Sequence, residues 1–247
     1  MTRRGELIQS IGRLESCFRE KFGTPRQPQL APSSQARLRI RAEFIPEQSL
    51  KGLSEFSHVW LLSYFHLNTN KAFLSTVHPP RLKGKTVGVF ASRSPHRPSP
   101  IGLSLARLER VEGDTLYLSG IDLVDGTPIL DVKPYIPSYD RVAEAKTGWT
   151  DRVEARSFQV EFEPKAREQL AALEREGRGD LRPLISQVLS QDLRNPRDKS
   201  QLQAGKTLEF FLYEWDVFFR VEETTAVVLA VEPAQEYKKA RRPPISL

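Results

Sequence analysis

Between residue 5 and about residue 148 the chain breaks into short apolar or alternating runs, each closed off by glycine, proline or aspartate. This cadence constrains the fold more than any other feature. A period of two puts one side of a run in a core and the other in water, as a strand requires, and prolines deny such a run a helical continuation. "ELIQSIGRLES" reads as a first strand, "FGTPRQPQLAPSS" as a proline-rich loop, "ARLRIRAEF" as a second strand and "PEQSLKGLSEF" as one short helix. "SHVWLLSYFHL" is a continuous apolar run of strand length, expected near the centre of the core. "TVGVFAS" adds a strand, and "PIGLSLARLERVEGDTLYLSGIDLV" a hairpin turning at Glu112 to Asp114. In "GIDLVDGTPILDVKPY", Asp122, Asp125 and Asp131 punctuate what reads as another hairpin about Asp125-Gly126. Strands this short and this closely spaced predict an antiparallel β-barrel, closed or nearly so.

Near residue 150 the character changes. "SFQVEF" is still strand-like, but "EPKAREQLAALEREG" has helical spacing, with Pro164 at its start and Gly177 after its end. "LRPLISQVLSQDLRNP" is a second helix, and "TLEFFLYEWDVFFRVEE" and "TAVVLAVEP" are strand-like. The expected fold is mainly β, α+β overall: a barrel domain over 1–150, a small α+β domain over 151–235 and a basic tail over 236–247.

Lys and Arg exceed Asp and Glu by 37 to 31, a net charge of +6 that suits a polyanionic partner. One cysteine, Cys17, excludes an internal disulfide framework and a cysteine-rich zinc site, and a half-buried inert thiol is its expected state. The four histidines are not spaced as metal ligands, and neither HExxH nor GxSxG occurs. GxGxxG and GxxxxGK[ST] are missing too, so the usual nucleotide loops are not available. The N-terminus has no apolar signal region and no stretch approaches about 18 apolar residues, so a cytoplasmic, non-membrane protein without metal is expected.

Three clusters join prolines to polar groups. In "FGTPRQP", Pro25 and Pro28 stiffen a loop that offers the forked donors of Arg26 and the amide of Gln27; alone it is a rigid connection or a site. In "FASRSPHRPSPIGLSLARL", Arg93 and Arg97 stand among Pro95, His96 and Pro98, and an anion would relieve their repulsion. The third is the aspartate-rich stretch above. His66 ends an apolar run, where a polar side chain is as well placed to meet a ligand as to serve structure, while His58 reads as structural.

Together "KFGTPRQPQL", "LKGLSEFSHVWLLSYFH", "GVFASRSPHRPSPIGLSLARL" and "IDLVDGTPILDVKPYIPSYD" resemble, in order and spacing, the TsaA-like (YaeB, TrmO) family of S-adenosylmethionine-dependent tRNA adenine-N6 methyltransferases. The resemblance covers residues 5 to about 140, and 155 to 233 is similar to the smaller C-terminal domain of bacterial members. It implies that the barrel is a single-sheeted antiparallel β-barrel and that the protein is a homodimer binding S-adenosylmethionine on it. It further implies methylation at N6 of threonylcarbamoyladenosine at position 37, beside the anticodon in the tRNA anticodon stem-loop. Carried onto matching positions, cofactor contacts fall on Pro25, Arg26, Gln27, His66, Leu67, Arg93, Leu103, Leu123, Asp125, Gly126 and Thr127. The sequence departs from the family's usual RPNPIG and ATRS at Ser99 and Ser92, and a shorter contact is expected if the family's amide at position 99 bonds substrate or cofactor.

The base nitrogen of such a substrate belongs to a urea, so a nearby acceptor for its proton would help, and His66 or Asp125 is the expected one. Arg81, Lys83, Lys85, Arg97 and the tail are the expected phosphate contacts, with Arg97 alternatively turned toward a dimer partner. Two rivals are a non-catalytic RNA-binding barrel and a small-molecule methyltransferase. The intact motif set opposes the first and the basic balance the second.

Overall fold

The computed structural model describes residues 8–68, 73–79, 82, 84–153, 157–194 and 205–234. Its first part holds β1 (Gly12–Ser16), β2 (Gln35–Ile40), α1 (Pro46–Ser49), β3 (His58–Tyr64), β4 (Thr76–Val77), β5 (Val87–Gly88), β6 (Ile101–Glu112), β7 (Thr115–Ser119), β8 (Pro128–Pro134) and α2 (Pro137–Asp140). Among the described residues, six of these strands close a barrel in the order β1-β2-β7-β6-β3-β8, each neighbour antiparallel. Alternation explains the interior: Leu14, Ala36, Leu38, Leu116 and Leu118 point in, and charged partners such as Arg37 and Glu15, 2.8 Å apart on paired strands, point out.

The seam between β1 and β8 has only two paired positions, Gly12 with Ile129 and Arg13 with Pro128. Gly12 is required there, since a Cβ would lie 2.3 Å from the Arg39 carbonyl oxygen. The segment before β8 extends the seam along β1: Leu14 N–H donates to Thr127 O at 2.9 Å, Gly126 N–H to Leu14 O at 2.7 Å and Asp125 N–H to Phe18 O at 2.7 Å.

Several local expectations change. "PEQSLKGLSEF" forms α1 and a separate 3-10 turn (Leu53–Glu55), divided by Gly52 in the left-handed region. "TVGVFAS" contributes only β5 and a 3-10 turn (Val89–Ala91). In "ELIQSIGRLES" the strand is Gly12–Ser16, and its first two residues, 6 and 7, lie outside the described residues. The Asp125-Gly126 turn is not a hairpin: β7 and β8 are separated in the barrel by β6 and β3, so residues 120–127 cross the barrel end. The run "SHVWLLSYFHL" does not lie with both faces in the core either. Val59, Leu61 and Ser63 point in, while Trp60, Leu62 and Tyr64 face outward beside Leu105, Leu103 and Ile101 of β6. The run is apolar throughout because its outer face is apolar as well.

The second part comprises β9 (Gln159–Phe162), α3 (Pro164–Arg175), α4 (Arg182–Leu189), β10 (Leu208–Leu212), β11 (Trp215–Glu222) and β12 (Thr225–Pro233). The run "TLEFFLYEWDVFFRVEE" is thus two strands, β10 and β11, joined at Tyr213, which has φ +53°. The sheet order is β10-β11-β12-β9, with β9 parallel to β12. Leu170 and Leu173 of α3 and Leu184, Ile185 and Val188 of α4 pack against it. Cys17 and Phe18, which directly follow β1, are buried in this second core rather than in the barrel. Cys17 is fully rather than half buried.

Candidate active site

One end of the barrel opens into a cleft of about 760 Å³. Its walls come from stretches that are far apart in the chain: Lys21 and Thr24 to Gln27, Phe65 to Asn68 after β3, Val77 to Pro79, Ser92 to Arg97 before β6, Ile101 to Ser104 in β6, and Asp122 to Val124 with Thr127, joined by Trp149. Hydrogen bonds tie these loops to each other. The Asn68 amide donates to Pro95 O at 2.8 Å and Lys21 Nζ to Leu67 O at 2.7 Å. Arg93 Nη1 donates to Gln27 Oε1 at 2.5 Å. The second core supports the same rim, since Arg26 Nη2 donates to Asp192 O at 3.1 Å.

Of the expected cofactor contacts, Pro25, Arg26, Gln27, His66, Leu67, Arg93, Leu103, Leu123 and Thr127 all line this cleft. Asp125 and Gly126 do not. The Asp125 carboxylate faces the joint between the two cores: it accepts from Ser16 N–H at 3.0 Å and pairs with Arg19 at 2.9 Å, both side chains being about nine-tenths buried. Arg19 Nε in turn donates to Tyr213 O at 3.1 Å. This commitment argues against Asp125 as a proton acceptor. Gly126 serves the seam, where its carbonyl accepts from Arg13 Nη1 at 2.9 Å.

The three aspartates of the third cluster have three different fates. Asp131 lies on β8 and pairs with Lys133 at 2.9 Å. Asp125 holds the joint. Asp122 borders the cleft, half-buried between the fully buried Ile121 and the buried Leu123, and accepts a 2.5 Å hydrogen bond from Ser104 Oγ. Burial pushes its carboxyl up to about 6, against the opposing pull of Ser104 and of the Arg93 charge. An aspartate between two apolar residues was the available sequence signal, although the turn at Asp125-Gly126 is the more conspicuous one. Trp149, whose indole donates to Ala91 O at 2.7 Å and which also lines the cleft, carried no such signal.

Arg97 is occupied within its own loop. Its guanidinium donates to Val89 O at 3.0 Å and Ser92 O at 2.8 Å and lies 5.6 Å from the Phe90 ring centroid, so it shapes the cleft wall instead of offering a free cation. Lys85 is exposed; Arg81, Lys83 and the basic tail lie outside the described residues. Ser92 caps its turn as a threonine would, with Oγ donating to Val89 O at 2.8 Å and accepting from Ser94 N–H. Ser99 is exposed and outside the cleft, its carbonyl accepting from Ile101 N–H. His58 bonds Ser57 and packs edge-on to Tyr135, as a structural histidine does. Among the described residues no group of His, Cys, Asp and Glu side chains could hold a metal ion.

Residues 13–141 match the family model for the tRNA-methyltransferase O N-terminal domain, and residues 155–234 the TrmO C-terminal domain. The chain is 37% identical over 231 residues to a tRNA (adenine(37)-N6)-methyltransferase of Escherichia coli, covering 92% of this chain and 97% of the relative. It is 43% identical over 211 residues to a putative S-adenosylmethionine-dependent methyltransferase of Pseudomonas aeruginosa, covering 85% and 90% respectively. A crystal structure of TrmO from P. aeruginosa superposes with a TM-score of 0.77 at 38% identity, covering 95% of this chain and 98% of that one. Mammalian relatives are longer: the chain matches a mouse tRNA (adenine(37)-N6)-methyltransferase at 57% identity over 136 residues but spans about a third of its length, 32%. With both family domains matched in order, on a barrel with a cleft that gathers most of the motif residues, the chain belongs to the tRNA-methyltransferase O family.

Proposed function

We propose that the protein is a tRNA methyltransferase that uses S-adenosylmethionine to methylate N6 of adenosine 37, with the threonylcarbamoylated nucleoside beside the anticodon as its substrate. One observation carries this reading: nine positions drawn from separate motifs converge on the same cleft. The cleft fits the cofactor. Its volume is within the range of small-molecule sites, about 300–1,000 Å³. Leu67, Leu103 and Leu123 offer apolar surface, and Gln27, Arg93 and Thr127 offer polar groups at defined positions. Bound S-adenosylmethionine supplies an electrophilic methyl on a sulfonium sulfur.

The chain's contribution to such a direct displacement is alignment and exclusion of water. Pro25 to Gln27, His66 to Leu67 and Arg93 all stand on the cleft wall, where the Arg93–Gln27 bond ties the first stretch to the third and the Lys21 bond to Leu67 O ties it to the second. RNA recognition follows the logic of anticodon loops, with an exposed base entering a pocket while cations track phosphates. Lys85, Arg81, Lys83 and the tail remain the proposed phosphate contacts. The outward apolar face of β3 supports a homodimer: Tyr64 is 44% exposed, with Trp60 and Leu62 on the same face of the strand. No helix among the described residues is long and apolar enough to cross a membrane, and we place the enzyme with its tRNA in the cytoplasm.

The test is to incubate the protein with labelled S-adenosylmethionine and tRNA from cells with and without the threonylcarbamoyl modification, then to resolve the nucleosides. Label confined to the threonylcarbamoylated nucleoside is expected. Binding of tRNA with no cofactor affinity would favour an RNA-binding barrel, and cofactor use with no dependence on tRNA a small-molecule methyltransferase.

A further inference from the structure

We infer that Asp122 is the catalytic proton acceptor: its carboxyl borders the cleft, one oxygen is held by the Ser104 hydroxyl, and buried apolar neighbours on both sides fix its position. This rests on the reading of the cleft as the methyl-transfer site. Asp122 follows β7 on the segment that crosses the barrel end, and Ser104 is an inward-facing, buried residue of β6, so two rigid elements set the carboxyl's orientation. Asp125 is excluded by its ion pair with Arg19, and Asp131 by its outward pairing with Lys133.

The step balances. The N6 electron pair forms the new bond to the methyl carbon while the carbon–sulfur pair stays on sulfur. The N6 proton passes to a carboxylate oxygen of Asp122. A sulfonium cation and a carboxylate anion thereby become a neutral thioether and a neutral acid, and the acid later returns its proton to water. A carboxyl poised near 6 is largely ionised at neutral pH and yet a stronger base than an ordinary aspartate. Arg93 is the charge that acts on it. Lys21, Arg26, Arg97 and the histidines His66, His78 and His96 line the same cleft.

The test compares wild type with Asp122→Asn, Ser104→Ala and His66→Ala. In single-turnover methylation at saturating cofactor, Asp122→Asn should lower the rate by about 100-fold or more. It should also abolish the wild-type rise in rate through pH about 6, while affinity for S-adenosylhomocysteine changes less than about threefold. A readout independent of activity is the carboxyl 13C resonance of aspartate-labelled protein without cofactor. One carboxyl should titrate near pH 6, vanish in Asp122→Asn and move upward in Ser104→Ala, where a donor to the charged form is lost. An unchanged rate in Asp122→Asn overturns the inference, as does a rate loss matched by lost cofactor affinity, or an acid limb that disappears in His66→Ala but survives in Asp122→Asn. If wild type labels a different nucleoside, the substrate reading falls and the same comparison on that nucleoside still decides Asp122. If it labels none, both fall.

Discussion

Replacing Asp125 by alanine separates stability from chemistry. The carboxylate accepts from Ser16 N–H at 3.0 Å and from Arg19 Nη1 at 2.9 Å, and Arg19 also reaches Tyr213 O, so one side chain links the barrel seam to the second sheet. Removing one member of a buried ion pair leaves the other charge uncompensated, a loss of about 3–5 kcal/mol. For a chain of this size that corresponds to a fall in Tm on the order of 10 °C. Urea and thermal unfolding of wild type, Asp125→Ala, Arg19→Met and the double variant measure it. The double variant should be more stable than additivity of the two single losses allows, because no lone charge remains. The single-turnover rate of folded Asp125→Ala, taken well below its unfolding midpoint, should stay within about threefold of wild type. Stability within about 0.5 kcal/mol of wild type, combined with a large rate loss, would refute the structural assignment and return Asp125 to the chemistry.

Three further outcomes are expected. Gly102→Ala would put a Cβ 2.5 Å from Ser63 Oγ and 2.8 Å from the tip of the Phe65 ring, so it should destabilise by about 1–3 kcal/mol and, because Phe65 lines the cleft, weaken cofactor binding in calorimetry. Burial pushes the Cys17 thiol up to about 12, so at pH 8 the native protein should react with a disulfide reagent at least about 100-fold more slowly than the urea-unfolded chain, as followed by absorbance. Lys85→Glu should weaken tRNA binding and reduce the slope of log affinity against log salt by about 1, measured by filter binding at several salt concentrations; an unchanged slope would remove Lys85 from the RNA path.

How much of this was legible in the sequence differs element by element. The strands β2, β6 and β7 and the helices α3 and α4 follow from local periodicity, because alternation or 3.6-residue spacing records which face of each element is buried. The hairpin turn at Glu112 to Asp114 was equally local, with Gly113 at φ +57° supplying the turn that β6 and β7 require. The candidate cofactor positions came from motif resemblance, and the cleft gathers nine of the eleven.

What the sequence alone determined, then, was the kind of element each segment forms, the mainly β class and the motif set that points to the cleft. Which strands become neighbours was decided only in three dimensions. Register and closure depend on contacts between residues far apart in the chain, so Asp125-Gly126 could resemble a hairpin turn while forming a barrel seam. The same holds for charge. Asp122, Asp125 and Asp131 are alike in sequence, and Arg97 resembles any exposed cation. Only tertiary packing gave Asp125 its arginine, Asp131 its lysine, Arg97 its carbonyls and Asp122 its half-buried place beside Ser104 at the cleft.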